Sequence, residues 1–214
     1  MSLKAVVSLD GRQLQNLLIN ELRKAAEETT ILAIPGIKRG VGPLIEIAIN
    51  SSPQISVWEN RFRGQVGVID IRGAVDAIID AVIKNTDVSY DKTYRRLGTI
   101  FIRLDVGILK DDFSDILSLH EASFISEGGF LINWLEWFLL GGGVQVGYEY
   151  MDGNFRKSRT GEGIMFKSKA GNWETPTELE GSKDDNFLVR ALTTSTFNAN
   201  LGDLIQDQFQ AVLI

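Results

Sequence analysis

Apolar and polar residues alternate most clearly between positions 97 and 151. Ile100, Ile102, Leu104, Val106 and Ile108 fall on one side of an extended chain, and Phe101, Arg103 and Asp105 fall on the other. A period of two marks a half-buried strand in an antiparallel or mixed sheet, so residues 97–109 are predicted as one long strand. Gly107 near its end marks a bulge or an edge. Residues 144–151 repeat the alternation, with Val144, Val146, Tyr148 and Tyr150 against Gln145, Gly147, Glu149 and Met151. Between these strands, residues 133–140 read as a short helix. It places Trp134, Leu135, Phe138 and Leu139 on one face and Trp137 half exposed elsewhere. The rest of the chain is expected to lean on this unit.

Helical spacing governs the first half. Leu14, Leu17, Leu18, Leu22 and Ala25 form a stripe over residues 11–28, which predicts a helix capped by Asp10 and packed on the core, with exposure to a partner as the lesser alternative. Pro35-Gly36 is expected to end that segment, and the glycine-rich run 36–42, with Lys38 and Arg39, reads as a loop. That run lacks the Lys-Ser/Thr ending of a phosphate loop. Pro43 suits the first turn of a short helix over 43–50, and Ser52 suits the cap of another over 53–57. Ala74, Ile78, Ile79, Val82 and Ile83 line one side of a clear helix over 70–84, with Asp76 and Asp80 off that side. Residues 85–94 read as a polar connection.

In the second half, 111–119 is a short helix or turn, and Glu127-Gly128-Gly129 is a turn. Gly141-Gly142-Gly143 stops the tryptophan-rich helix. Asp152-Gly153 opens a turn, followed by an exposed basic loop and a further strand from Gly163. Residues 184–192 read as a helix opened by two aspartates. A last amphipathic helix over 201–213 carries Leu201, Leu204, Ile205, Phe209 and Val212 on its apolar side, facing the domain or a neighbouring subunit. The predicted fold class is α+β: a mixed or antiparallel sheet flanked by amphipathic helices, a single compact domain with extended loops. Residues 1–95 form its mainly helical part, and 96–214 the part with sheet and C-terminal helices.

Composition narrows the function. A net charge of −6 disfavours general nucleic-acid binding, which needs a basic footprint. The absence of cysteine excludes disulfides, a thiolate nucleophile and Cys-ligated zinc, and a single histidine excludes a multi-histidine metal site. No cofactor motif is present. The N-terminal residues show no signal-peptide pattern, and no apolar run is long enough to span a membrane. His120 has Ser118, Glu121 and Ser123 close by in sequence. A catalytic triad draws its base and nucleophile from separate elements, so a surface or capping role is expected. Asp111, Asp112, Asp115, Asp184 and Asp185 do not follow calcium-loop spacing and suit helix starts. What remains is surface for contacts. Arg156, Lys157 and Arg159 form the densest basic run, a solvated turn or a contact for an acidic partner. Trp134, Trp137, Trp173 and Phe209 are candidate interface residues, since buried aromatic anchors dominate binding sites.

The segments 111–117, 132–140, 158–165, 171–173 and 181–192 (DDFSDIL, INWLEWFLL, SRTGEGIM, GNW and GSKDDNFLVRAL) occur in an order that resembles virion structural proteins of tailed bacteriophages. Ser51-Ser52-Pro53 and residues 61–67 are a weaker echo of the same group. The resemblance implies a non-enzymatic neck or tail component, without cofactor. It would be assembled in the host bacterial cytoplasm into a homo-oligomeric ring beside other neck or tail proteins. In such a ring the long strand suits edge-to-edge addition, and an acidic lumen would let DNA pass without specific binding. Two other classes remain open from the residues alone: a monomeric adaptor or binding module, and a hydrolase with an unrecognised carboxylate site.

Overall fold

In a computed structural model that describes residues 11–96, 99–126, 129–153, 156 and 158–213, Gly11–Asn50 forms one 40-residue helix, α1. Its buried line steps through Thr30, Ala33, Ile37, Val41, Ile45 and Ile49, at helical intervals of three and four. The loop expected at 36–42 and the separate helix at 43–50 are both absorbed into α1. Two features explain this. Pro35 and Pro43 lie on exposed turns, so the carbonyls they orphan, on Ile31 and Arg39, face water. Gly36 and Gly40 instead lie under the last helix, where a Cβ would run into the Gln208 and Leu204 side chains. These glycines let two helices approach closely, and the packing holds the run helical despite their low propensity.

A short helix α2 (Pro53–Val57) follows, widens into π-type turns over Trp58–Phe62, and ends in α3 (Arg63–Val66). Ser52 occupies the cap position, but its hydroxyl donates to Gln54 Oε1 (2.6 Å) rather than accepting from the backbone. Helix α4 (Ile71–Asn85) matches its sequence pattern. Asp70 Oδ1 accepts from Gly73 N at 2.9 Å, and Ala74, Ile78, Ile79 and Val82 are buried. Asp10 lies outside the described residues.

The chain is α+β, with small antiparallel sheets among helices. Among the described residues the strands form three separate two-stranded ribbons. The first is β1 (Asp87–Arg96) with β2 (Thr99–Gly107). Residues expected as a polar connection are therefore β2's partner. Val88, Tyr90, Thr93 and Tyr94 are strand formers, and Tyr94 stacks on Phe101 across the pair at 5.4 Å. The irregularity of this ribbon falls at Asp91, where a bulge leaves the carboxylate beside Arg103 (3.4 Å), and not at Gly107. Leu97 and Gly98, included in the predicted strand, lie outside the described residues, as do Glu127 and Gly128 of the predicted turn.

After α5 (Ser114–Leu117) and a 3₁₀ turn (His120–Ala122), β3 (Phe124–Ile125) pairs with β4 (Leu131–Ile132). Helix α6 (Trp134–Leu139) leads to the third ribbon, β5 (Val144–Asp152) with β6 (Gly163–Glu174). The alternation read along 144–151 does not describe one face. The register breaks at Gly147 (φ +86°), so Tyr148 and Tyr150 pack on the core while Val144 and Val146 are 50% and 77% exposed.

Helices α7 (Phe187–Leu192) and α8 (Ser195–Leu213) close the chain. Asn186, fully buried, caps α7 in place of the two aspartates expected there. Its Oδ1 accepts from Leu188 N and Val189 N (both 3.1 Å), and its Nδ2 donates to Ser182 O at 2.9 Å. Helix α8 packs along α1 through Leu201, Leu204, Ile205, Phe209 and Val212, so the two ends of the sequence share one core.

Two substitutions test this packing. At Gly181, an added Cβ would meet the Phe138 carbonyl, which belongs to backbone and cannot swing away. Gly181→Ala is expected to lower stability by about 1–3 kcal/mol. Gly202, inside α8, has nothing within 4 Å of the Cβ position, so Gly202→Ala is expected to add about 0.5–1 kcal/mol. Urea midpoints of the two variants should move in opposite directions.

Asp185 provides a pH test. The hydrogen bond from Arg190 Nε (2.6 Å) holds its carboxyl below the usual carboxylate range, against a smaller opposing effect of desolvation. Because the folded-state value is depressed, the contribution is present above the unfolded value of about 3.9. It is lost as pH falls through the folded one. Asp185→Asn should therefore be less stable than wild type at neutral pH, with the two converging in acid.

Candidate interaction surfaces

The tryptophans expected at an interface sit in the core. Helix α6 is apolar nearly all round, with Glu136 its one exposed residue, and such a helix is enclosed on every side. Trp134 is fully buried and donates from Nε1 to Glu121 O at 2.8 Å. Its ring lies 4.6 Å from Trp58 and 5.5 Å from Phe138. Trp137, expected half exposed, is 7% exposed because Tyr148 (5.2 Å) and Trp173 (5.3 Å) cover it. Trp58, also buried, joins the segment after α2 to α6 through Trp134 and Phe138. Phe209 is half-buried between α8 and α1. None of these four candidates presents its ring as a free surface anchor.

The described part of the basic loop is tied back on itself. Ser158 Oγ donates to Gly163 O (2.6 Å) and accepts from Gly161 N (2.9 Å), which folds the loop back on the root of β6. Gly153 N donates to Glu162 O at 3.0 Å and closes its base. Arg156 is exposed, and Lys157 lies outside the described residues. Arg159 lays its guanidinium over the Phe124 ring, 4.4 Å from the centroid, which joins the β5–β6 loop to the β3–β4 ribbon. Beneath it is a mostly apolar cavity of about 190 Å³ lined by Gly67, Phe124, Phe130 and Met165 among others.

A second cavity brings His120, Glu121, Ser123 and Asp70 to one wall. Among the described residues no hydrogen bond joins His120 to Ser123 or to Asp70, and the Asp70 carboxylate is occupied in capping α4. No group of three or more His, Asp or Glu residues there is placed to hold a metal ion. Asp112 accepts from Ser114 N (3.0 Å), and that bond holds its carboxyl below the usual range, as suits a helix start. No helix among the described residues is long and apolar enough to cross a membrane.

The exposed apolar surface lies where the sequence reading did not place it. Leu17, Leu18 and Leu22, expected to pack on the core, are 52–59% exposed, lying N-terminal to the stretch of α1 where Gln208 and Leu204 of α8 pack. Further along α1, Ile31, Leu32 and Ile47 are exposed too. Ile125, Phe130 and Leu131 project from the β3–β4 ribbon, and Val144, Val146 and Met151 from β5. The signal available in the sequence was the length of the helical pattern. The apolar positions of 11–50 exceed what one partner helix of half that length covers.

The tryptophan placement has a direct readout. The native protein should emit in the blue, with little acrylamide quenching, and Trp137→Ala should cost about 3–5 kcal/mol in urea unfolding. Native emission as accessible as the unfolded chain's would contradict the buried cluster.

No protein-family model, no curated protein and no solved structure matches this chain.

Proposed function

We propose that this protein is a non-enzymatic structural component of a tailed-phage particle. In this reading it assembles by repeated protein–protein contacts into a ring in the neck or tail. The observation that carries the reading is the isolation of the ribbons. Among the described residues, each of β1–β2 and β5–β6 has two strands and therefore two unpaired edges. Such ribbons are marginal alone and invite another strand. Beside the β5 edge, Val144 and Val146 are exposed. A strand from a neighbouring copy added there would pair the open edge and cover both valines. A contact between two different patches repeats until the ring closes.

The order of segments that resembles phage virion proteins points the same way. In this reading other neck or tail proteins flank the ring. The net charge of −6 suits a lumen through which DNA slides without being held. A binding module is the second reading, favoured by the cavity beneath Arg159.

The test is the mass of the full chain over a concentration series, followed by imaging of the large species. A discrete closed oligomer with a central hole is expected, and Val146→Lys should shift assembly to higher concentration. A strict monomer across the series, or open filaments, would count against the ring. A strongly basic lumen would count against passive DNA passage.

A further inference from the structure

Basic and aromatic residues gather on one face of the β1–β2 ribbon. In a chain of net charge −6, residues 92–103 carry Lys92, Arg95, Arg96 and Arg103 and no acid. The root of the ribbon is anchored: Val88 is buried, and Leu104 and Val106 lie against the core. Beyond the bulge at Asp91 the register pairs Lys92 with Arg103, Thr93 with Ile102, Tyr94 with Phe101, Arg95 with Ile100 and Arg96 with Thr99. Residues directly opposite share a face, and the faces alternate along each strand. Leu104 and Val106 therefore put the even positions of β2 on the core side. Lys92, Arg103, Tyr94, Phe101 and Arg96 fall together on the other, outward side. There Tyr94 is 45% and Phe101 40% exposed, and their rings stack at 5.4 Å with 14° between the planes. The three cations of this face are exposed as well.

We propose that this outward face binds single-stranded nucleic acid. Bases stack on the Tyr94–Phe101 pair, and phosphates are held by Lys92 and Arg103 on one side of it and by Arg96 on the other. The order along the ribbon is cations, aromatic pair, cation. A single strand has its charge on the backbone and its flat apolar surface on the bases, so it needs both kinds of group in alternation. Two nearly parallel rings leave one outer π-face each for a base. Arg96 lies about 14 Å from Lys92 along β1, at ~3.4 Å per residue. That span covers about four nucleotides of a stacked strand at ~3.4 Å each. An acidic protein segment would use the cations and leave the aromatic pair idle. A duplex keeps its bases stacked on one another and closed to the rings.

The charge sets the strength. Arg103 Nε already lies 3.4 Å from both Asp91 and Asp105, and Lys92 Nζ lies 3.7 Å from Asp91. These pairs are exposed and worth little, so a phosphate replaces the carboxylate at either cation for a reduced gain. With Lys92, Arg96 and Arg103 each meeting one phosphate, log affinity falls against log salt with a slope of about −2. The acidity of the remaining chain repels nucleic acid, so the contact is local, weak and strongest at low salt. It uses the outward face of the ribbon and not its edges, and it does not rest on the ring reading.

The test uses the full chain and a fluorescently labelled oligothymidylate of about twelve nucleotides, followed by anisotropy from about 50 to 200 mM salt. Binding is expected at the low end and should be about tenfold or more weaker at the high end. Arg96→Gln should make the salt slope shallower by about 0.7. Phe101→Ile, which keeps a strand-forming residue, should weaken binding about fivefold or more. Arg23→Gln, an exposed cation on α1, should leave the slope unchanged. Ultraviolet crosslinking of the wild-type protein needs no variant and should attach thymidine to the peptide that carries Tyr94 or Phe101. No anisotropy change at ~50 mM salt with up to about 1 mM protein would overturn the proposal. So would equal affinity of Phe101→Ile and wild type, or a crosslink confined to other peptides. Tighter binding of a duplex of the same length would overturn the single-strand assignment. A polyglutamate peptide that competes as well as unlabelled oligothymidylate would overturn the nucleic-acid assignment in favour of an acidic protein partner.

Discussion

The buried line of α1 is the constraint on which the rest of the fold depends. Ala33, Ile37, Val41, Ile45 and Ile49 present a straight apolar edge, and α8, α4 and the β1–β2 ribbon all pack on this helix. Such packing requires close approach, which the glycines supply. Gly36 and Gly40 admit α8, whereas at Gly42 an added Cβ would come no closer than 3.5 Å to Ile83 of α4, an ordinary van der Waals contact. The helix that would be weakest by propensity, with two prolines and three glycines in nine residues, is held by its neighbours rather than by itself. A second centre, Trp58 with Trp134 and Phe138, ties the chain after α1 to α6. Trp137 with Trp173 then ties α6 to the β5–β6 ribbon.

With so much aromatic surface spent inside, the outside is left mainly with aliphatic residues on projecting elements. The N-terminal part of α1 and the edges of the ribbons carry apolar side chains or unpaired backbone into solvent. A monomer gains nothing from such projections, and water makes them costly. Strand addition at the ribbons, which is directional and repeats, would cover the unpaired edges.

What was legible in the sequence follows from how local the signal is. Helix α4 was read almost to the residue because its cap, its apolar face and its end are all contained in one segment. The strand at 99–107 was read from its own alternation, but its partner was missed, since β1 has few aliphatic residues and relies on Tyr and Thr for pairing. Helix α1 was broken into three pieces because Pro35, Gly36, Gly40 and Pro43 are local breakers, whereas the force that overrides them comes from α8, more than 150 residues away in sequence. The same non-local cause hid the bare leucines: the stripe at Leu14–Ala25 looks like any core-facing stripe until the length of the opposing helix is known. Aromatic residues misled in the other direction. Trp134, Trp137 and Trp173 suggested an interface by type, while their burial follows from an apolar helix with no polar face to turn outward.

The most direct test of the central claim, that the bare aliphatic surface is contact surface, is hydrogen exchange on the full chain compared between dilute and concentrated solution. The account predicts that the amides along the outward edge of β5 slow on concentration, while α4 and the core of α1 do not change. Equal exchange of the β5 edge at both concentrations, with assembly present by mass, would contradict it.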